Sequence, residues 1–255
     1  MYKGSSIGVV VPAYNEEKFI AEVVETMPIF VDRIYAVNDA SIDNTAKILA
    51  SIVDDRLTII SHKKRGGAGA AMLSGYKRAC EEKMDVIAIM AGDGQMDPAI
   101  LHKILDPVVD GKADYSKGNR LSGWSNSRGM PLVRLFGNNL LTFVIKIASG
   151  YWHISDPLNG YTAVTRNALD SIDLDRVELG YAFETDLLIK LNAANARAAN
   201  VVMSSRYGDE KSKINLGNFI VYTSWVIVRD YVWRLWTKYS GSRSESMLRG
   251  EREVC

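Results

Sequence analysis

Short β-branched runs alternate with stretches of helical apolar spacing along residues 7–109, and no other feature restricts the fold as strongly. Residues 7–11 form a continuous apolar run stopped by Pro12. After Asn15-Glu16-Glu17 the apolar positions become Phe19, Ile20, Val23, Val24 and Met27, the spacing of one helix face. The alternation continues with 33–37 as strand, 43–53 as helix, 57–60 as strand, 69–82 as helix, 85–90 as strand and 98–109 as helix. Pro98 suits the first turn of the last of these, where a missing amide proton costs nothing. Strands apolar on both faces and joined by helices predict parallel βαβ units, an α/β fold with a mostly parallel central sheet.

The second half is less regular. It predicts strands at 114–118, 161–165 and 198–204, a long amphipathic helix at 128–149 and a helix at 183–195. No uninterrupted apolar run reaches the roughly 18 residues of a membrane span. The stretch 216–236 is rich in Phe, Ile, Val, Tyr and Trp but is broken by Arg229, Asp230 and Arg234, which suits a helix lying on a membrane or on a partner. The division expected is a catalytic domain over 1–215, a membrane-interface or oligomerisation helix over 216–239 and a disordered or foreign tail over 240–255.

A net charge of +1 gives no global basic excess for nucleic acid. Cys80 and Cys255 frame no disulfide or zinc site, which predicts reduced thiols and a cytosolic setting, and the opening residues do not read as a signal peptide. His62, His102 and His153 lack metal-ligand spacing and are expected to be structural.

Ligands of an open α/β sheet bind outside the carboxyl ends of its strands, so the polar segments there are the candidate site. Pro12-Ala13-Tyr14-Asn15-Glu16-Glu17 offers an aromatic face and an acid for a nucleobase, with helix capping by Asn15 as the alternative. In 38–45, Asp39 could bind a ribose or base, while Ser41 or Asp43 could cap the next helix. Ala91-Gly92-Asp93-Gly94-Gln95 ends the 85–90 strand in a carboxylate with an amide two residues on, a pair able to hold a metal against a phosphorylated substrate. Gly66-Gly67-Ala68-Gly69 lacks the third glycine of a dinucleotide fingerprint.

PAYNEE, NDASIDNT, GGAGAAMLSG and AGDGQMDP, followed by GNRL, RGMPLVRLFGNNLL, SDPLNGYTA and RYGDEKSKI, occur in an order that resembles inverting family 2 glycosyltransferases of the GT-A fold. Within them the chain is similar to the dolichol-phosphate mannose synthase and polyprenyl-phosphate glucosyltransferase branch, over roughly residues 6–215. The resemblance implies that Pro12, Ala13, Tyr14, Glu16, Asp39 and Gly67 line the nucleotide site and that Asp93 and Gln95 coordinate Mg²⁺ or Mn²⁺. The family usually has an acid where this chain has Ala91. Mg²⁺ needs only one or two protein carboxylates besides phosphate and water, so Asp93 with Gln95 can suffice. Lys64 and Arg65 could neutralise phosphate near the glycine loop.

The resemblance further implies catalytic roles for Asp93, Arg120, Asp156, Arg206 and Lys213, and an acceptor-phosphate site made by Arg120, Arg128, Arg134 and Lys211. Asp156 and Glu184 are assigned to positioning, because a phosphate acceptor needs no general base. The implied reaction moves a sugar from a nucleotide-diphospho-sugar, a UDP-sugar or GDP-mannose, to dolichyl or polyprenyl phosphate with inversion, supplying lipid-linked sugar for glycosylation. It implies peripheral attachment to the cytoplasmic face of a membrane through 132–147 and 219–236, with a homo-oligomer as the other use of those helices. Rival expectations are a family 2 enzyme with a soluble hydroxyl acceptor and Glu184 or Asp186 as base, and a non-catalytic nucleotide-sugar-binding module, motivated by Ala91.

Overall fold

Apolar residues on both faces of the early strands require cover on both sides, and the chain supplies it as two helical layers around one sheet. The computed structural model describes residues 1–120, 132–180, 182–203 and 216–239, with the backbone alone at 132–140, 216–221 and 239. Its elements run β1 (Ile7–Ala13), α1 (Ile20–Glu25), β2 (Arg33–Asn38), α2 (Thr45–Ser51), β3 (Leu57–Ser61), α3 (Ala68–Glu81), β4 (Val86–Ile89), α4 (Leu101–Val109) and β5 (Tyr115–Asn119). There follow α5 (Leu132–Ser149), β6 (Thr162–Thr165), α6 (Arg166–Asp170), α7 (Phe183–Ala193), β7 (Ala198–Val202) and α8 (Leu216–Tyr239).

The strands order as β3-β2-β1-β4-β6-β5-β7. β1 pairs in parallel with β2 and β4, β2 with β3, and β5 with β7, while β6 runs antiparallel to both β4 and β5. Alternating side chains divide between the two faces. Val10, Ile87, Ile89 and Tyr115 join the core under α3, α5 and α7, and Val9, Val11, Ile34 and Ala88 join the core under α1 and α4. Each such fully buried apolar side chain contributes about 1.5–3 kcal/mol relative to exposure.

Helix α3 lies so close to β1 that a Cβ at Gly75 would collide with the Val10 side chain, and at its other end a Cβ at Gly69 would strike the Leu179 carbonyl. The small residues of 66–75 are therefore packing requirements as much as loop chemistry. Helix α8 packs on α5 and α7, burying Val226 and Ile227, with Ile227 part of the larger core cluster. Among the described residues no helix is long and apolar enough to cross a membrane.

Two local differences from the sequence reading have simple causes. The 98–109 helix begins as a 3-10 turn, Pro98–Ile100, because the Asp97 carboxylate accepts from the Ala99 amide at 3.0 Å and tightens the first turn. The short helix α6 was not expected; Thr165 caps it by accepting from the Ala168 amide at 3.1 Å.

Gly75→Ala is expected to cost about 1–3 kcal/mol of folding stability through overpacking against fully buried Val10, read as a lower urea midpoint with unchanged slope.

Candidate active site

Strand direction decides which loops meet. Parallel pairing sets Ala13 opposite Asn38 and Asn38 opposite Ser61, so the segments leaving β1, β2 and β3 emerge side by side. β4 ends at the same edge, with Ile89 opposite Val10. Because β6 is reversed, its first residue Thr162 stands opposite both Ile89 of β4 and Lys117 of β5, which delivers the preceding 156–161 segment to that edge. Gly92 closes the gap between β4 and β1: its amide donates to the Pro12 carbonyl at 3.0 Å, and a Cβ there would come within 3.2 Å of Ala13.

The first two loops hold each other. The Asn15 amide donates to Ser41 Oγ at 3.1 Å, the Asn15 side-chain oxygen accepts from the Ile42 amide at 2.9 Å, and the Glu16 amide donates to Thr45 Oγ1 at 2.8 Å. Asn15 and Ala40 both have positive φ, +57° and +56°, conformations that cost an L-residue roughly 1–3 kcal/mol and persist only where surroundings enforce them. Asn15 therefore couples two loops, and Phe19 occupies the cap position of α1. Pro12 and Ala13 end β1 beneath them. The Tyr14 ring is covered by the Arg65 guanidinium 4.1 Å from its centroid, a cation–π pair that brings the third loop over the first.

Asp39 is 2% exposed, and its observed partners are protein groups. Its oxygens accept from the Gly66 amide at 2.8 Å and the Gly67 amide at 2.7 Å, and Oδ1 lies 2.7 Å from His62 Nδ1. The other ring nitrogen of His62 is 2.9 Å from Ser74 Oγ on α3. Asp39 thus shapes the glycine loop at the start of α3, where Gly67 takes a φ of +91°. His62, expected to be structural, is the strut behind that carboxylate.

Asp93 sits in the turn after β4, with Oδ1 accepting from the Gln95 amide at 3.0 Å and Gly94 at a φ of +73°. Burial pushes its carboxyl above the ordinary 3.8, opposed by that amide bond. Among the described residues no cation pairs with it and no cluster of three His, Cys, Asp or Glu side chains has metal-holding geometry. Ala91 offers a backbone amide, which donates to Met96 Sδ at 3.2 Å, and Asp97 caps the following turn. A desolvated carboxylate without a cationic partner fits a divalent ion that takes its remaining ligands from Gln95, phosphate oxygens and water.

Beyond β5 the Arg120 guanidinium forks onto Asp156, Nε to Oδ2 at 2.8 Å and Nη2 to Oδ1 at 3.2 Å, while the Arg120 amide donates to the same carboxylate at 3.3 Å. Asp156 is 4% exposed, so the pair fixes the arginine's place at the crevice rim. Gly118 leaves room for the neighbouring segments, since a Cβ there would collide with Met203 Sδ and fall 2.7 Å from Asn159 Nδ2. Arg128, Arg206, Lys211 and Lys213 lie outside the described residues, and Arg134 falls where α5 is described by backbone alone.

Lys117 was missed by the sequence reading. It is fully buried on β5 and donates to Glu184 Oε2 at 2.6 Å and to the Tyr115 hydroxyl at 3.3 Å. Glu184 opens α7 and forms no cap bond there. A charged residue inside a strand covered on both faces was the available signal. Asp186, by contrast, is turned away from the crevice: it is fully buried, ion-paired with Lys190 and accepts from the Glu178 amide at 2.6 Å, with burial raising its carboxyl.

Comparison with known proteins follows the same lines. The model of glycosyl transferase family 2 matches residues 8–173. The UDP-N-acetylglucosamine–dolichyl-phosphate N-acetylglucosaminyltransferase of Methanococcus voltae is 30% identical over 178 residues, covering 64% of this chain and 70% of that protein. The polyprenol monophosphomannose synthase of Mycolicibacterium smegmatis is 31% identical over 196 residues, covering 70% and 69%. Glucosyl-3-phosphoglycerate synthase from Mycobacterium tuberculosis, solved with Mn²⁺, uridine diphosphate and phosphoglyceric acid, superposes with a TM-score of 0.69 at 20% identity, over 89% of this chain and 79% of that one. That likeness identifies the fold as GT-A.

The raised Asp93 carboxyl predicts a stability signature. A folded-state value above the unfolded one means that the native state binds the proton more tightly, so stability is lost as pH rises through the folded value. In chelator at neutral pH, Asp93→Asn should melt at a higher temperature than the parent, and the difference should vanish once the pH falls below about 4. Equal melting curves at neutral pH would show that the carboxylate carries no such burden.

Proposed function

The chain belongs to glycosyl transferase family 2, and we propose that it transfers a sugar from a nucleotide-diphospho-sugar to the phosphate of a polyprenol, with inversion at the anomeric carbon. The observation carrying this reading is the arrangement along one sheet edge of the Tyr14 loop, the desolvated Asp93 carboxylate, which pairs with no cation among the described residues, and the Arg120–Asp156 fork. The names of the Methanococcus and Mycolicibacterium relatives, one a dolichyl-phosphate and one a polyprenol enzyme, favour a lipid phosphate as acceptor.

In this reading the nucleoside occupies the loops of Pro12, Ala13, Tyr14 and Glu16 with Gly67 beside it, and Asp39 holds the glycine loop in shape. Asp93 and Gln95 would hold a divalent ion, which would supply positive charge to stabilise the leaving diphosphate. An acceptor phosphate oxygen attacks the anomeric carbon as the bond to the diphosphate oxygen breaks, and the nucleoside diphosphate departs with that electron pair. Since a phosphate monoester is already ionised near neutral pH, no side chain has to remove a proton. Arg120, kept in orientation by its fork onto Asp156, supplies a cation beside the acceptor phosphate. The family resemblance assigns Arg128, Arg134, Arg206, Lys211 and Lys213 to the same phosphate-binding role.

The lipid tail needs a membrane close to the crevice. Trp225, Val228, Val232 and Trp236 of α8 are 59%, 62%, 58% and 50% exposed and recur at helical spacing, forming a stripe suited to an interface. Tyr231 of the same helix packs against the core instead. Substituting Trp225 and Trp236 by Ser should reduce sedimentation with anionic vesicles without lowering the thermal midpoint.

Purified protein given UDP-glucose, UDP-N-acetylglucosamine or GDP-mannose with Mn²⁺ should glycosylate a short polyprenyl phosphate. Product with free sugars and none with the lipid phosphate would sink the acceptor assignment. Asp93→Ala should lower transfer by at least about 100-fold, whereas Ala91→Asp should lower the Mn²⁺ concentration needed for half-maximal rate. Unchanged turnover in Asp93→Ala would show that the ion binds elsewhere.

A further inference from the structure

Lys117 has no exposed surface and its ammonium lies 2.6 Å from Glu184 Oε2. Such a pair is a weak source of stability, because the cost of desolvating two charges offsets their attraction, and an apolar pair of similar volume is often as stable. The pair's place in a fully buried strand therefore points to a role other than stability. The geometry supplies one. Glu184 spends one oxygen on Lys117, while Oε1 faces Gly160, 3.8 Å from where a Cβ would stand at that residue. Met96 of the Asp93 turn reaches the same spot, its Cε 3.3 Å from that position. The open oxygen is thus presented between the 91–98 turn and the 156–161 segment, on the crevice side of α7.

We infer that Lys117 is a positioning residue that holds the Glu184 carboxylate in one orientation, with Oε1 accepting a hydrogen bond from a hydroxyl of the transferred sugar. The inference rests on the nucleotide-sugar reading of the crevice. A carboxylate repels phosphate, so its place beside Gly160 marks the sugar's side of the crevice, and the Arg120 guanidinium marks the side of an acceptor phosphate. Lys117 makes the carboxylate selective by geometry: with Oε2 immobilised, Oε1 points along a fixed direction and an epimeric hydroxyl would miss it. The Tyr115 hydroxyl, 3.3 Å from the ammonium, steadies the lysine from its other side.

The test compares Lys117→Met, Glu184→Gln and the double variant by calorimetric binding of UDP and GDP against UDP-glucose, UDP-N-acetylglucosamine and GDP-mannose, with Mn²⁺ present. The quantity read is the ratio of the dissociation constants of nucleotide-sugar and matching bare nucleotide. All three variants should bind the bare nucleotide within about twofold of the parent, while the ratio rises about tenfold or more, the size of a lost hydrogen bond to a charged group. The double variant removes both charges and should regain the parent's melting temperature without regaining the ratio, which separates positioning from support of the fold. If Lys117→Met does not fold, the double variant decides. An unchanged ratio in the double variant, a proportional loss for sugar and bare nucleotide, or a raised ratio in Glu184→Gln with none in a folded Lys117→Met would overturn the inference. Failure of the lipid-acceptor reading would appear instead in the parent protein, as absence of transfer to polyprenyl phosphate with the binding ratios intact.

Discussion

Antiparallel pairing of β6 between β4 and β5 ties the molecule's two halves into one crevice. With Thr162 opposite Ile89 on one side and Lys117 on the other, the segment carrying Asp156 and Gly160 has to begin beside the Asp93 turn and the end of β5. A parallel β6 would have put its entry loop at the opposite edge, and neither the Arg120–Asp156 fork nor the contact between Gly160 and Met96 could form. The backbone ladder thus does what no individual side chain could. It makes residues more than thirty positions apart in sequence neighbours, and the side chains then refine that placement by tenths of an ångström.

The edge formed by the loops after β1, β2 and β3 is held by polar groups in strained backbone rather than by apolar packing. Asn15 and Ala40 sit at positive φ, and the bonds from Asn15 to Ser41 and Ile42 oppose the conformational cost by fixing both loops at once. Asp39 does the same for Gly66 and Gly67, with His62 and Ser74 behind it. A carboxylate used this way organises amides that would otherwise need solvent. The cost falls elsewhere on Asp93, which is desolvated without a cationic partner among the described residues. Loops fixed by mutual hydrogen bonds and a desolvated carboxylate fit the proposed binding of a charged ligand with its counter-ion.

The first four strands and the helices between them were legible because strands covered on both faces must be apolar along their whole length, and helices covering them must be apolar on one face. β5 shows where that logic fails. Its sequence, Tyr115-Ser116-Lys117-Gly118-Asn119, is fully buried yet mostly polar, because the strand lines the crevice and pairs its polar groups internally: Ser116 Oγ donates to the Ile104 carbonyl and Lys117 to Glu184. The direction of β6 was equally hidden, since strand periodicity is the same read either way. The resemblance assigned catalytic roles to Asp93, Arg120 and Asp156, but a linear pattern could not reveal that Arg120 and Asp156 grip each other. Nor could it separate Glu184 from Asp186, two positions apart on α7 and facing opposite environments, one the crevice and the other Lys190.

That divergence on α7 also bears on the chemistry. A carboxylate acting as general base for a hydroxyl acceptor must reach the acceptor's proton. Asp186 has no exposed surface and is committed to Lys190 and the Glu178 amide, while Glu184 commits one oxygen to a buried ammonium. An acceptor that arrives already ionised relieves the crevice of that demand and needs cations and orientation instead. On the proposed reading Arg120, forked onto Asp156 at the rim, contributes to both. On the proposed reading, Ala91 is a reduction in the protein's share of a metal site rather than its loss, because Asp93 keeps a desolvated carboxylate able to serve as a ligand.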